Sequence, residues 1–355
     1  MDIKIETLLK LALQNKASDV HLTSVMLPKF RINGELVSLG NFQMPEIGEM
    51  REMILSILNQ EQKDKFETEK DLDFSITLGE VRFRANVFFD NGNPAMVLRV
   101  IPFDIPDMVS LNLPPVLNTF LKIKQGFVLI TGPTGQGKST TAASMLNEIN
   151  TQFGGHIITV EDPIEYVIKP LKSLVSQREL GADTKSFDRA LRSVLRQDPN
   201  VVFVGEMRDL ETIQLALTVA ETGHLVFSTL HTNSAAQTID RIVDVFPENS
   251  KTQIRTQLAS VLTAVVSQRL LPTIDEGRRV PAMEVLIANS AIKNIIREGK
   301  TFLIDNVIQT GGDMGMFSME MSLAKLIKQG QVSEEMAMSF TLKPTELQSL
   351  LRSIR

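Results

Sequence analysis

Residues 132–139 read GPTGQGKS and satisfy the pattern G-x-x-x-x-G-K-[ST] in full. They follow the apolar run 126–131 (GFVLIT) without a gap and open the helical run 139–149. Strand, glycine loop and helix in that order constrain the chain strongly, because the loop belongs at the carboxyl end of a strand in an α/β sheet. The glycines let backbone N–H groups curl around an anion, and the helix N-terminus adds a favourable dipole. A chain this long meets the pattern by accident roughly once in a hundred, before a flanking strand and helix are demanded. Gly132, Pro133, Thr134, Gly135, Gln136, Gly137, Lys138, Ser139 and Thr140 are therefore expected to bind ATP. Lys138 would reach the β- and γ-phosphates, and Ser139 would ligate Mg²⁺.

The flanking sequence agrees with a parallel, doubly wound sheet. Short apolar runs at 156–160 (HIITV), 201–204 (VVFV) and 225–229 (LVFST) alternate with helical segments. Polar residues at the ends of such strands face the ligand. Glu161 ends the first run and is a candidate general base. Glu206 follows VVFV at the place of a Walker B acid, where it would hold Mg²⁺, directly or through water, or polarise the attacking water. Glu165 and Asp209 read as loop or capping residues. His231, just past a central strand, suits a sensor of the γ-phosphate, whereas His224 follows Gly223 where a helix cap would suffice. Beyond about residue 249 the chain reads as mainly helical.

Residues 1–101 read differently. A helical stretch at 5–13 precedes strand-like pieces at 29–32, 73–77, 81–88 and 96–101, and Asn33-Gly34 and Asn91-Gly92 are hairpin signals. The expectation is a small α+β domain with an antiparallel sheet. Pro102, Pro106, Pro114 and Pro115 mark 102–115 as a linker, leaving 116–355 as the second domain. Arg82 and Arg84 share a strand face with Asn86, which alone reads as a solvated face. Arg99 lies between apolar residues on both sides, where an unpaired charge is costly, so an anionic partner is expected.

Bulk properties narrow the function. The net charge of −5, one tyrosine and no tryptophan offer little to a nucleic-acid strand. With no cysteine there is no disulfide and no thiolate-bound metal. No apolar run reaches the ~18 residues of a membrane span, and the N-terminus MDIKIETLLK does not read as a secretory signal. A cytoplasmic protein without an integral membrane segment is expected, reaching membranes only through partners.

Four boxes in order resemble the secretion and type IV pilus ATPases. They are the Walker A loop at 132–139, an aspartate box at 159–166 (TVEDPIEY), a Walker B box at 195–209 (LRQDPNVVFVGEMRD) and a histidine box at 222–232 (TGHLVFSTLHT). ASDVHL (17–22) and VRFRANVF (81–88) also look like that family, and AIKNIIREGK (291–300) resembles the C-terminal signature of its retraction branch. The resemblance implies a PAS-like N-terminal domain, a RecA-like ATPase domain and a homohexameric motor. That motor would act on an inner-membrane platform protein, lie peripherally at the inner membrane, and drive pilus retraction and twitching motility. Glu161 and Glu206 carry over as hydrolysis and Mg²⁺ residues, and Arg84 and Arg99 best match arginines brought to the phosphates from the N-terminal domain. Gln136 stands where the family more usually has serine, at a variable position, so the departure reads as minor. The four-cysteine zinc module common in assembly and secretion relatives is lacking, which favours retraction. The alternatives are an accessory retraction ATPase, an assembly or type II secretion ATPase and, from another class, a nucleic-acid translocase.

Overall fold

The computed structural model describes residues 3–39, 43, 45–79, 81–101, 104–275 and 277–354. Pro102 of the expected linker lies outside the described residues. The chain divides into two compact units, Met1–Asp104 with Glu165–Val167, and Ile105–Ile164 with Ile168–Arg355.

In the first unit, helix α1 (Ile3–Gln14) precedes strands β1 (Asp19–Thr23), β2 (Lys29–Ile32) and β3 (Glu35–Val37). Helices α2 (Ile47–Ile57) and α3 (Gln60–Glu69) follow, then strands β4 (Asp71–Leu78), β5 (Val81–Asp90) and β6 (Asn93–Ile101). The sheet order is β3-β2-β1-β6-β5-β4, with every neighbouring pair antiparallel. Period-two patterning sets its faces. Leu72, Phe74 and Ile76 of β4 and Phe83, Ala85 and Val87 of β5 are buried against Ile5, Leu9, Met50, Ile54 and Phe66 from the three helices. Asp71, Asp73 and Ser75 alternate with them on the other face. At both expected turns the two central residues have positive φ, 50° and 88° at Asn33-Gly34, 49° and 79° at Asn91-Gly92. A two-residue hairpin of the primed type needs that geometry. Helix α3 starts with a capping box in which Asn59 accepts from Gln62 N and the Gln62 side chain reaches back.

The second unit begins with the short helix α4 (Leu117–Phe120), strand β7 (Gly126–Thr131), helix α5 (Lys138–Gln152) and strands β8 (Gly155–Glu161) and β9 (Ser173–Glu179). Then come α6 (Phe187–Val194), β10 (Val201–Val204), α7 (Leu210–Glu221), β11 (Leu225–Leu230), α8 (Ala235–Asp244) and α9 (Glu248–Val261). Strands β12 (Leu262–Pro272) and β13 (Arg279–Ile287) precede helices α10 (Ser290–Glu298), α11 (Ile304–Thr310), α12 (Met319–Lys328), α13 (Glu334–Phe340) and α14 (Pro344–Ile354). The sheet runs β13-β12-β7-β11-β10-β8-β9. Its strands are parallel except β13, which pairs antiparallel with β12 at the edge. Every residue of β7, β10 and β11 is buried, so these strands are continuous apolar runs. Helices cover both faces: Val128 and Ile130 pack with α4 and α5, Phe127 and Leu129 with helices from α6 to α11.

Helices make up most of the described residues after 249, but two strands that the sequence spacing does not signal lie among them. Strands β12 and β13 form a long hairpin there, and β12 lies directly beside the P-loop strand β7. Most of β12 and β13 is buried. A strand buried on both faces loses its period-two signal and cannot be told from a buried helix by spacing. A third small core, with Leu271, Val280, Leu323, Ala337 and Leu347, joins this hairpin to α12, α13 and α14.

Candidate nucleotide site

The loop between β7 and α5 carries positive φ at Gly132 (146°), Gly135 (76°) and Gly137 (76°). An L-residue is strained in that region, and glycine is not. At Gly132 space is also closed, since a Cβ would lie 2.3 Å from the Gln268 carbonyl oxygen. Gly137 is the N-cap of α5 and contributes no side-chain cap. A fifteen-residue helix thus presents its N-terminus to the loop with backbone alone, as phosphate binding requires. Lys138 is buried, and its Nζ donates to the carbonyls of Gly132 (2.8 Å) and Pro133 (2.9 Å), inside the curve of the loop. Ser139 and Thr140 follow in the first turn of α5, both half-buried.

The acids at the strand ends converge on the same edge of the sheet. Glu161 closes β8 and is buried; its Oε1 accepts from Thr159 Oγ1 (2.6 Å) and Gln177 Nε2 (3.3 Å). Gly205 leaves room beside it, because a Cβ there would press on the Glu161 backbone at 3.3 Å. Glu206, one residue later, bonds Arg208 Nη2 at 2.9 Å and His231 Nε2 at 3.1 Å. Burial works against ionising Glu206, but Arg208 and His231 outweigh it and hold the carboxyl below its ordinary range. The other His231 nitrogen, Nδ1, lies 3.3 Å from Thr134 Oγ1. A polar chain therefore runs from the P-loop through His231 to Glu206 and Arg208. Beside it opens a cavity of about 500 Å³, lined by Glu206, Arg208, His231, Gln237, Asp240 and Asp244 among others.

The bland readings hold at two positions. Asp209 is the N-cap of α7, accepting from Thr212 N at 2.8 Å. His224 Nδ1 sits 3.0 Å from the Val219 carbonyl and 3.0 Å from Thr222 Oγ1, at the end of the same helix. No cluster of three or more histidine, cysteine or acidic residues among the described residues could hold a metal alone. Mg²⁺ keeps several waters and takes one or two protein oxygens plus phosphate oxygens. The Ser139 hydroxyl and Glu206 carboxylate are oxygens of that kind.

Arg84 and Arg99 belong to the first unit. They face each other in the register of β5 and β6. Arg84 Nη2 lies 3.6 Å from Asp73, and Arg99 Nε donates to Asp19 at 2.8 Å. The side chain of Arg99 is 67% exposed, so the apolar surroundings read from its neighbours do not bury it. Its immediate neighbours Leu98 and Val100 turn to the other side of the sheet, into the core. The expected anionic partner is present in Asp19, which is itself buried.

Sequence reading missed Gln268 and Thr141. Both are buried and hydrogen-bonded to each other at 2.7 Å beside the loop. A glutamine in a stretch taken for helix carries no signal of this.

A strand, a glycine loop and a helix N-terminus, with two acids and a histidine at the neighbouring strand ends, define a P-loop ATPase with a RecA-like core. The family model of the type II/IV secretion system proteins matches residues 2–333, and the chain belongs to that family. It is 46% identical to the type IV pilus retraction ATPase PilT of Pseudomonas aeruginosa, over 94% of this chain and 96% of that protein. It is 48% identical to a twitching motility protein of Neisseria gonorrhoeae, over 87% of this chain and 83% of the other. A crystal structure of the pilus retraction motor PilT with bound ADP superposes with a TM-score of 0.91 at 47% identity. It covers 98% of this chain and 100% of that one. Among the described residues no helix is long and apolar enough to cross a membrane.

Proposed function

We propose that this protein is an ATP-hydrolysing motor that drives type IV pilus retraction. The carrying observation is the end-to-end likeness to a retraction ATPase, 46% identity over 94% of the chain. Gly132 to Thr140 wrap the phosphates, and the Lys138 ammonium turns from the Gly132 and Pro133 carbonyls onto the β- and γ-phosphates. Ser139 and Glu206 would hold Mg²⁺, which would supply neutralisation of phosphate charge. Glu161, at the adjoining strand end, orients the attacking water and takes its proton. His231 touches both the loop and Glu206, so it reports an arriving γ-phosphate to the strand-end acid. Arg84 and Arg99 of a neighbouring subunit complete the site in a homohexamer. The ring works in the cytoplasm against a platform protein of the inner membrane.

Two measurements test this reading. Lys138→Ala is expected to abolish turnover, because Lys138 is the loop's one side-chain cation for the charge that develops in phosphoryl transfer. Near-normal kcat in the purified variant would remove the ATPase assignment. Cells lacking the gene are expected to carry surplus surface pili and to lose twitching; cells without pili would show assembly instead.

A further inference from the structure

Strand β7 ends at Thr131, while its neighbour β12 continues to Pro272. The last rung between them pairs Ser267 with Thr131, whose hydroxyls also meet at 2.9 Å. Past that rung β12 has no strand on this side, and unpaired backbone N–H groups there are costly. The P-loop takes the place of the strand. The Gln136 side-chain oxygen accepts from Leu270 N at 2.6 Å, and its backbone carbonyl accepts from Gln268 Nε2 at 2.7 Å. Gln268 Oε1 accepts in turn from Thr141 Oγ1 on α5 at 2.7 Å. The fit is close as well as polar: a Cβ on Gly137 would come within 3.0 Å of both Gln268 and Leu270. The serine usual in the family at position 136 is too short to span to Leu270 as Gln136 does, so the departure that reads as minor in sequence has a structural consequence.

We infer that Gln136 and Gln268 are positioning residues, which hold the P-loop against β12 in the shape the phosphates need. This rests on the nucleotide-binding reading of the loop. A loop held in its bound shape saves the cost of ordering it when the ligand arrives. The saving is shared by ground state and transition state, so its loss appears in KM and in ADP affinity more than in kcat.

The test uses the full-length protein, with ADP binding measured by titration alongside steady-state ATP hydrolysis. Gln136→Ala and Gln268→Met are each expected to raise the Kd for ADP and the KM for ATP about 3- to 10-fold, the scale of one partly buried hydrogen bond. kcat should change by less than about two-fold. The double variant should lose less than the product of the two single losses, because both loosen one clamp. Hydrogen exchange supplies a readout that general destabilisation would not mimic: the Leu270 amide should exchange faster in Gln136→Ala and return to slow exchange in Gln136→Glu, which keeps the acceptor. Should Gln268→Met not fold, the Gln136 pair of variants decides. Unchanged ADP affinity in folded Gln136→Ala, or a kcat loss as large as the loss in kcat/KM, overturns the inference. Wild-type protein that binds no ADP would instead sink the nucleotide reading itself.

Discussion

Glu284 shows what burial does to a single carboxyl in this fold. It lies on β13 and is 4% exposed, with Oε1 accepting from Ala235 N at the start of α8 at 2.7 Å. Burial pushes its pKa from an ordinary 4.5 up to about 7, against the one backbone hydrogen bond. The unfolded chain gives up this proton near 4.5, whereas the folded chain keeps it until about 7. Between those values the unfolded state binds fewer protons, so stability falls as pH rises and levels off above the folded pKa. The shift corresponds to about 3 kcal/mol at full ionisation. Glu284→Gln keeps an acceptor for Ala235 and cannot ionise. Its Tm relative to wild type is expected to be similar at about pH 5 and several degrees higher at about pH 8. A difference that does not grow with pH would show that the carboxyl is solvated or paired in solution. Nothing in the sequence marks Glu284, because its surroundings come from α8 and the C-terminal helices. Lys138 and Gly132 were legible because a contiguous motif contains its own geometry. Glu161 and Glu206 could be listed from their place at strand ends. Gln177, the partner of Glu161, was not assigned as such, because a contact across the sheet has no fixed spacing in sequence.

At the level of elements, α10 separates packing from work. Ile292 and Ile296 are fully buried against the core shared with α9, and Asn289 caps the helix, accepting from Ile292 N at 2.9 Å. Arg297 and Asn294 are exposed, and Lys293 is half-buried with Nζ 3.5 Å from the Ser260 carbonyl. Lys293→Ala with Arg297→Ala should therefore leave ATP turnover intact and impair retraction, read as twitching of cells carrying the double variant. Ile296→Ala should instead cost about 2–5 kcal/mol of stability and lower both together. Equal loss of ATPase and twitching in the charge variant would reduce α10 to a structural helix. Periodicity exposed this helix because one face is wet. The same reasoning failed for β12, where most positions are buried, and for β9, whose residues 173–179 (SLVSQRE) are mostly polar. Short parallel strands such as β10 were legible because turn residues bound them on both sides.

At the scale of the whole molecule, the polar face of the N-terminal sheet gathers several arginines in one place. Arg84, Arg99, Asp19 and Arg31 lie side by side in one register row across β5, β6, β1 and β2. Like charges directly opposite each other across strands are unfavourable. Asp19 is shared between Arg99 at 2.8 Å and Arg31 at 3.9 Å, and Arg84 lies 3.6 Å from the exposed Asp73. Three guanidinium groups against two carboxylates, Asp19 and Asp73, leave a surplus of positive charge on this sheet face. A polyphosphate from another subunit would match it, and guanidinium suits the match because it stays charged and forks onto two oxygens. Arginine supplied in this way can be worth ~10³-fold or more in rate. Arg84→Ala and Lys138→Ala proteins should each be nearly inactive alone. Mixed in one ring, they should recover activity at every interface where an intact P-loop meets an intact arginine. Recovery should rise with mixing ratio and peak near equal amounts. If the two variants co-assemble and no activity returns, or if Arg84→Ala is fully active by itself, the arginines serve only the fold of their own sheet.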